Sequence, residues 1–173
     1  MKKHVFLTGD IQIGKSTAID KALSILNIEV GGFRTKGVTH QKDGTSNVVL
    51  FKANGKPETG HIVAERREGT RKAFPEIFDT YGPVFLNEKK TITIMDELGF
   101  LESQSEIFCS AIIETLNSDT HVLGVVRNMR TPFLDKIRNR DDVILIIVTE
   151  ENRNEIPGKI VEIMRDMGIS PQE

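Results

Sequence analysis

One eight-residue segment near the start of the chain limits the possible folds more than any other feature. Gly9-Asp10-Ile11-Gln12-Ile13-Gly14-Lys15-Ser16 matches the pattern G-x-x-x-x-G-K-[ST] without a mismatch. It follows an apolar run, His4 to Thr8, and opens a stretch in which Ile19, Ala22, Leu23 and Leu26 recur at helical spacing. A strand that turns through glycines into a helix aims backbone N–H groups and the positive end of the helix dipole at one point. That arrangement is a cradle for phosphate oxygens. In such a cradle Lys15 reaches the β- and γ-phosphates as a point charge, the Ser16 hydroxyl ligates magnesium, and Thr17 adds a phosphate contact. The backbone of Gly9, Asp10, Ile11, Gln12, Ile13 and Gly14 forms the rest of the nucleotide-binding loop.

The remainder of the chain fits the architecture that hosts such a turn. Apolar runs at Thr91 to Met95, His121 to Val126 and Val143 to Val148 alternate with amphipathic stretches, and they read as strands buried on both sides. Helical spacing recurs at Ile160, Ile163, Met164 and Met167, with Gly168 as a stop, and again over Ser105 to Leu116, which places Cys109 in the core. The expected fold class is α/β, a three-layer αβα sandwich with a mostly parallel sheet. At 173 residues the chain forms one domain with enough core to need no staple.

Residues 30 to 90 interrupt the rhythm. Val30 to His40 and Ser46 to Lys52 are strand-like and are joined by a turn containing Asp43-Gly44, which predicts an antiparallel hairpin excursion. The polar, Gly- and charge-rich stretch Ala53 to Lys72 has no apolar period, so a mobile or lid-like loop is expected there. Its run Glu65 to Lys72 mixes charge signs and reads as a solvated face rather than a nucleic-acid patch.

Composition narrows the compartment and the partners. Lysine and arginine total 23 against 25 acidic residues, a net charge of −2, which argues against a dedicated nucleic-acid binder. A single cysteine excludes an internal disulfide framework and suits a reducing environment. The apolar stretch at the N-terminus is too short for a leader, and no run approaches the ~20 apolar residues of a membrane span. A soluble, cytoplasmic protein without a membrane partner is expected, and nothing in the sequence fixes its oligomeric state.

A second element supports the first. The run ending at Met95 continues into Asp96-Glu97-Leu98-Gly99, a Walker-B pattern. An aspartate at the carboxyl end of a buried strand can hold magnesium beside the loop serine, and the next residue, Glu97, can orient or deprotonate an attacking water. Ligands of open parallel sheets sit outside the carboxyl ends of the strands, which draws in two further segments. After the third strand come Arg127 and Arg130, either of which can neutralise charge on a transferring phosphoryl group or form a plain ion pair. After the fourth come Asn152 and Arg153, which can flank a nucleobase, with helix capping as the rival role for Asn152.

These pieces together resemble the small P-loop nucleoside-triphosphatase family that includes the thermophile NTPases and the cancer-related nucleoside-triphosphatase. The likeness rests on the loop, on Gly32-Phe33-Arg34-Thr35, on Met95-Asp96-Glu97-Leu98-Gly99, on Leu123-Gly124-Val125-Val126 and on Val148-Thr149-Glu150-Glu151-Asn152-Arg153. It implies magnesium-dependent hydrolysis of ATP, GTP and other nucleoside triphosphates to diphosphates, slow and with little base discrimination. It also implies phosphate and magnesium roles for Gly9, Gly14, Lys15, Ser16 and Thr17, a metal role for Asp96 and a base role for Glu97. The chain departs from the family at Asp10-Ile11-Gln12, where prolines or glycines are usual, and an acidic Asp10 facing the phosphates would repel them. Two other classes fit the same motifs: a nucleotide or small-molecule kinase with Arg66, Arg67 and Arg71 in its lid, and a nucleotide-regulated binding module.

Overall fold

The first apolar run folds as β1 (His4–Gly9), whose Val5, Phe6 and Leu7 are all fully buried. Val5 and Leu7 join one core and Phe6 the other, so this strand is covered on both faces. The computed structural model describes residues 1–171. After β1 the chain enters α1 (Lys15–Leu26), then β2 (Val30–Thr39), β3 (Ser46–Lys52), a short 3-10 turn at Pro57–Thr59, β4 (His61–Arg67) and β5 (Thr70–Ala73). It continues through α2 (Pro75–Leu86), β6 (Ile92–Leu98), α3 (Phe100–Ser103), α4 (Glu106–Asn117), β7 (His121–Val126), α5 (Pro132–Arg138), β8 (Val143–Val148) and α6 (Ile156–Asp166).

All eight strands form one sheet in the order β5-β4-β3-β2-β6-β7-β1-β8. From β2 to β8 the neighbours run parallel, and the β2, β3, β4, β5 side is antiparallel. On one face α1 and α6 cover Val5, Leu7, Ile94, Leu123 and Val148. On the other, α2 and α4 cover Phe6, Phe33, Met95 and Val126, with the Phe108 ring edge-on to Phe33 at 4.9 Å. The αβα sandwich with its antiparallel extension is thus present as the sequence implies.

The lid expected over Ala53 to Lys72 is not a loop. Most of it is laid into the sheet as β4 and β5, with Arg66 paired to Arg71 and Glu65 to Lys72 across the strands. Val63 is the one fully buried side chain of β4, and β5 is exposed throughout, so the stretch has too few apolar positions to show a period. Among the described residues no helix is long and apolar enough to cross a membrane.

Candidate active site

Gly9 closes β1 with a φ of +145°, and a Cβ there would sit 2.5 Å from the Val148 carbonyl oxygen on neighbouring β8. Only glycine fits so close a crossing. Gly14 caps α1 in the left-handed region at φ +109°, and Gln12 also has a positive φ of 60°. These reversals bend the loop around the N-terminus of α1, where unpaired N–H groups gather.

The Lys15 ammonium folds back over the loop, donating to the carbonyls of Gly9 at 3.0 Å and Asp10 at 2.5 Å. Burial holds its pKa below the ordinary lysine value, while the Glu97 charge works in the opposite direction. Across the cleft the Ser16 hydroxyl donates to Asp96 Oδ1 at 3.0 Å. The other Asp96 oxygen, Oδ2, accepts from Arg34 Nη1 at 3.0 Å, and Arg34 Nη2 reaches Asp20 Oδ1 on α1 at 2.6 Å. Asp96 is 4% exposed; burial raises its pKa, and Arg34 and the Ser16 hydroxyl pull it back down. One hydroxyl and one carboxylate, with further positions left to phosphate oxygens and water, form a donor set that suits magnesium.

Glu97 stands beside this network. Its backbone N–H faces the Thr35 hydroxyl at 3.4 Å, and its Oε1 lies 3.3 Å from Arg127 Nε. The pairing of β6 with β7 shifts register between Met95 and Leu98, a local irregularity at the two acidic positions. The cleft they share is about 950 Å³ and is lined by the loop from Gly9 to Gln12, by Gly14, Lys15, Ser16 and Thr17, by Asp96 and Glu97, and by Arg127. Thr35, Lys36 and Gly37 of β2, with Asn128 and Met129, complete the wall. An adjoining cavity of about 640 Å³ lies across the loop, between Gly9 to Ile13 and the segment Ile147 to Glu151, with Asn128 and Arg153 at its margin. Asp10 borders both spaces.

Most of the residues singled out from the sequence therefore meet in one place, and two do not behave as expected. Arg130 lines neither cavity: its side chain is 83% exposed, and its Nε pairs with Asp135 Oδ1 at 3.1 Å. Of the two chemistries open to it, the ion pair is the one formed. Asn152 does not cap α6, whose N-cap is Glu155, and its side-chain amide turns to the protein's own backbone. Its Oδ1 accepts from the Thr149 N–H at 2.8 Å and its Nδ2 donates to the Ile147 carbonyl at 2.9 Å, so it staples the loop that carries Arg153.

Arg34, which binds Asp96, received no role from the sequence. It shares the strand-like run Val30 to His40 with Lys36, so nothing local singles it out, and it pairs in register with Asp96 on the adjacent strand.

A phosphate-binding turn between β1 and α1, facing an acidic pair on a parallel strand, defines a P-loop protein of α/β class. A family model described as NTPase matches residues 4–161, and the chain belongs to that family. It is 32% identical to the cancer-related nucleoside-triphosphatase of Homo sapiens, over 93% of this chain and 96% of that protein. It is 26% identical to the nucleoside-triphosphatase THEP1 of Thermotoga maritima, over 93% and 95%. The crystal structure of THEP1 from Aquifex aeolicus superposes with a TM-score of 0.75 at 20% identity, covering 92% of this chain and 98% of that one.

Proposed function

We propose that this protein hydrolyses nucleoside triphosphates to diphosphate and phosphate in a magnesium-dependent reaction with water as the acceptor. One observation carries the proposal: Lys15 and Glu97 line the same cleft, and the Glu97 side chain is 32% exposed to solvent. In the expected sequence of events the triphosphate takes the place of the Gly9 and Asp10 carbonyls as the partner of the Lys15 ammonium. The loop N–H groups bind the remaining oxygens. Ser16 and Asp96 would hold a magnesium ion, which would supply charge neutralisation to the triphosphate. Glu97 accepts the proton of the attacking water as general base. Arg127 exchanges Glu97 for the transferring phosphoryl group and stabilises the charge that builds there.

Water as acceptor is favoured over a second substrate because Arg66, Arg67 and Arg71, on which a kinase lid would depend, sit in β4 and β5 and line no part of the cleft. The nucleobase is assigned to the adjoining cavity, beside Arg153 and the exposed Ile11 and Ile147.

Phosphate release from ATP and GTP with magnesium tests the proposal. Turnover is expected in the wild type and absent from Lys15→Ala and from chelator-treated samples. Release no faster than the Lys15→Ala background would overturn it.

A further inference from the structure

We propose that Arg138 is a positioning residue for the cleft, a partly buried guanidinium that fixes the turn after β7 and thereby directs the Arg127 side chain. This inference rests on the assignment of Arg127 to the phosphoryl group given above. Helix α5 is anchored at its start by Thr131, whose hydroxyl accepts from the Leu134 N–H at 3.1 Å. At its other end Arg138, only 12% exposed, reaches back to the start of the turn. Its Nη2 donates to the carbonyls of Arg127 and Met129, the latter at 2.7 Å, and its Nη1 donates to Asp135 Oδ1 at 3.0 Å.

Arg127, Asn128 and Met129 all line the cleft, and the carbonyls before and after Asn128 are gathered on one nitrogen. The Arg127 N–H donates to the Leu98 carbonyl at 2.9 Å, one residue beyond Glu97. Arg127 thus has its amide tied to β6 and its carbonyl held by α5 and by the Met129 N–H at 2.8 Å, whereas its side chain is 42% exposed and among the described residues is ion-paired with Glu97 alone. A half-exposed ion pair orients weakly, so the direction of Arg127 comes from its main chain. The planar fork of a guanidinium can hold two carbonyls and a carboxylate at once, and a lysine ammonium cannot reproduce that geometry.

Kinetics of Arg138→Lys, Arg127→Ala and the double variant, with a thermal melt of each, test the inference. Arg138→Lys is expected to lower kcat about tenfold or more with KM for ATP within about threefold, because the P-loop is untouched and only orientation is lost. In that background Arg127→Ala is expected to cost little more. Wild-type kcat in a normally melting Arg138→Lys variant, or losses that multiply independently in the double variant, would overturn it. Wild-type kcat in Arg127→Ala removes the Arg127 assignment itself, and this inference with it. Should Arg138→Lys fail to fold, Asp135→Asn removes the carboxylate that holds the guanidinium against the two carbonyls, and an unchanged kcat there overturns the inference equally.

Discussion

Glu97 Oε1 and Arg127 Nε stand 3.3 Å apart across the ends of two adjacent parallel strands, with both side chains partly open to solvent. An ion pair so exposed contributes at most about 1 kcal/mol, so an incoming phosphate can separate it at little cost. Neither residue is needed to hold the sheet together.

Glu97→Gln therefore separates chemistry from binding. The amide keeps the shape but cannot accept a proton, so kcat is expected to fall by roughly 100-fold or more. Nucleotide affinity is expected to stay within about threefold, because the loop and Lys15 do the gripping. Single-turnover phosphate release and equilibrium titration of a non-hydrolysable analogue provide the two measurements. Parallel losses in both would remove Glu97 from the base role.

Arg34 offers the opposite case. Its partner Asp96 is 4% exposed, whereas its second partner Asp20 has a side chain 62% exposed. Removing the cation with Arg34→Met strands a buried carboxylate, and a loss of about 3–5 kcal/mol follows. Asp20→Asn costs under about 1 kcal/mol because water replaces the lost pairing. Denaturant melts should rank the two variants in that order, and adding Asp96→Asn to Arg34→Met should recover part of the loss. Equal effects of Arg34→Met and Asp20→Asn would contradict the burial argument.

Local chemistry decided how much of this could be seen in the sequence. The loop was legible because its residues are contiguous and each has a distinct work, and Asp96 and Glu97 because they end an apolar run. Arg34 and Arg138 act through strand register and through a helix folding back on a turn, relationships that span 62 and 11 residues respectively and leave no local pattern. β4 and β5 were missed for a related reason: a strand at the margin of a sheet with mostly exposed side chains shows little apolar period. Arg130 and Asn152 were over-read because strand-end position predicts proximity to the site, and their side chains were already engaged by Asp135 and by the Ile147 to Thr149 backbone.

Two helical glycines should respond to alanine with opposite signs. Gly158 in α6 has open space around a built Cβ, so Gly158→Ala gains about 0.5 kcal/mol from helix propensity. Gly82 in α2 faces the fully buried Phe108, whose ring carbon Cδ2 lies 2.2 Å from a built Cβ. Phe108 is also held by Phe33 and Phe78, with centroids at 4.9 and 5.3 Å, and has no room to retreat. Overpacking therefore outweighs propensity, and Gly82→Ala is expected to lose about 1–3 kcal/mol in urea melts. A stabilised Gly82→Ala would show that α2 and α4 can move apart freely.

Glu102 contributes its own pH dependence to stability. Its side chain is buried in α3, where Oε2 accepts from the Gly99 N–H at 2.9 Å, and burial pushes its pKa up from 4.5 to about 7. A carboxyl whose folded pKa lies above its unfolded value binds its proton more tightly in the native state. Stability then falls as pH rises from about 4.5 to about 7, and the penalty is complete above that range. Glu102→Gln keeps an acceptor for Gly99 and removes the charge. Its melting temperature is expected to exceed that of the wild type by several degrees at pH 8, with the difference shrinking to nothing near pH 4. A gap of the same size at both pH values would mean that Glu102 is not the titrating group.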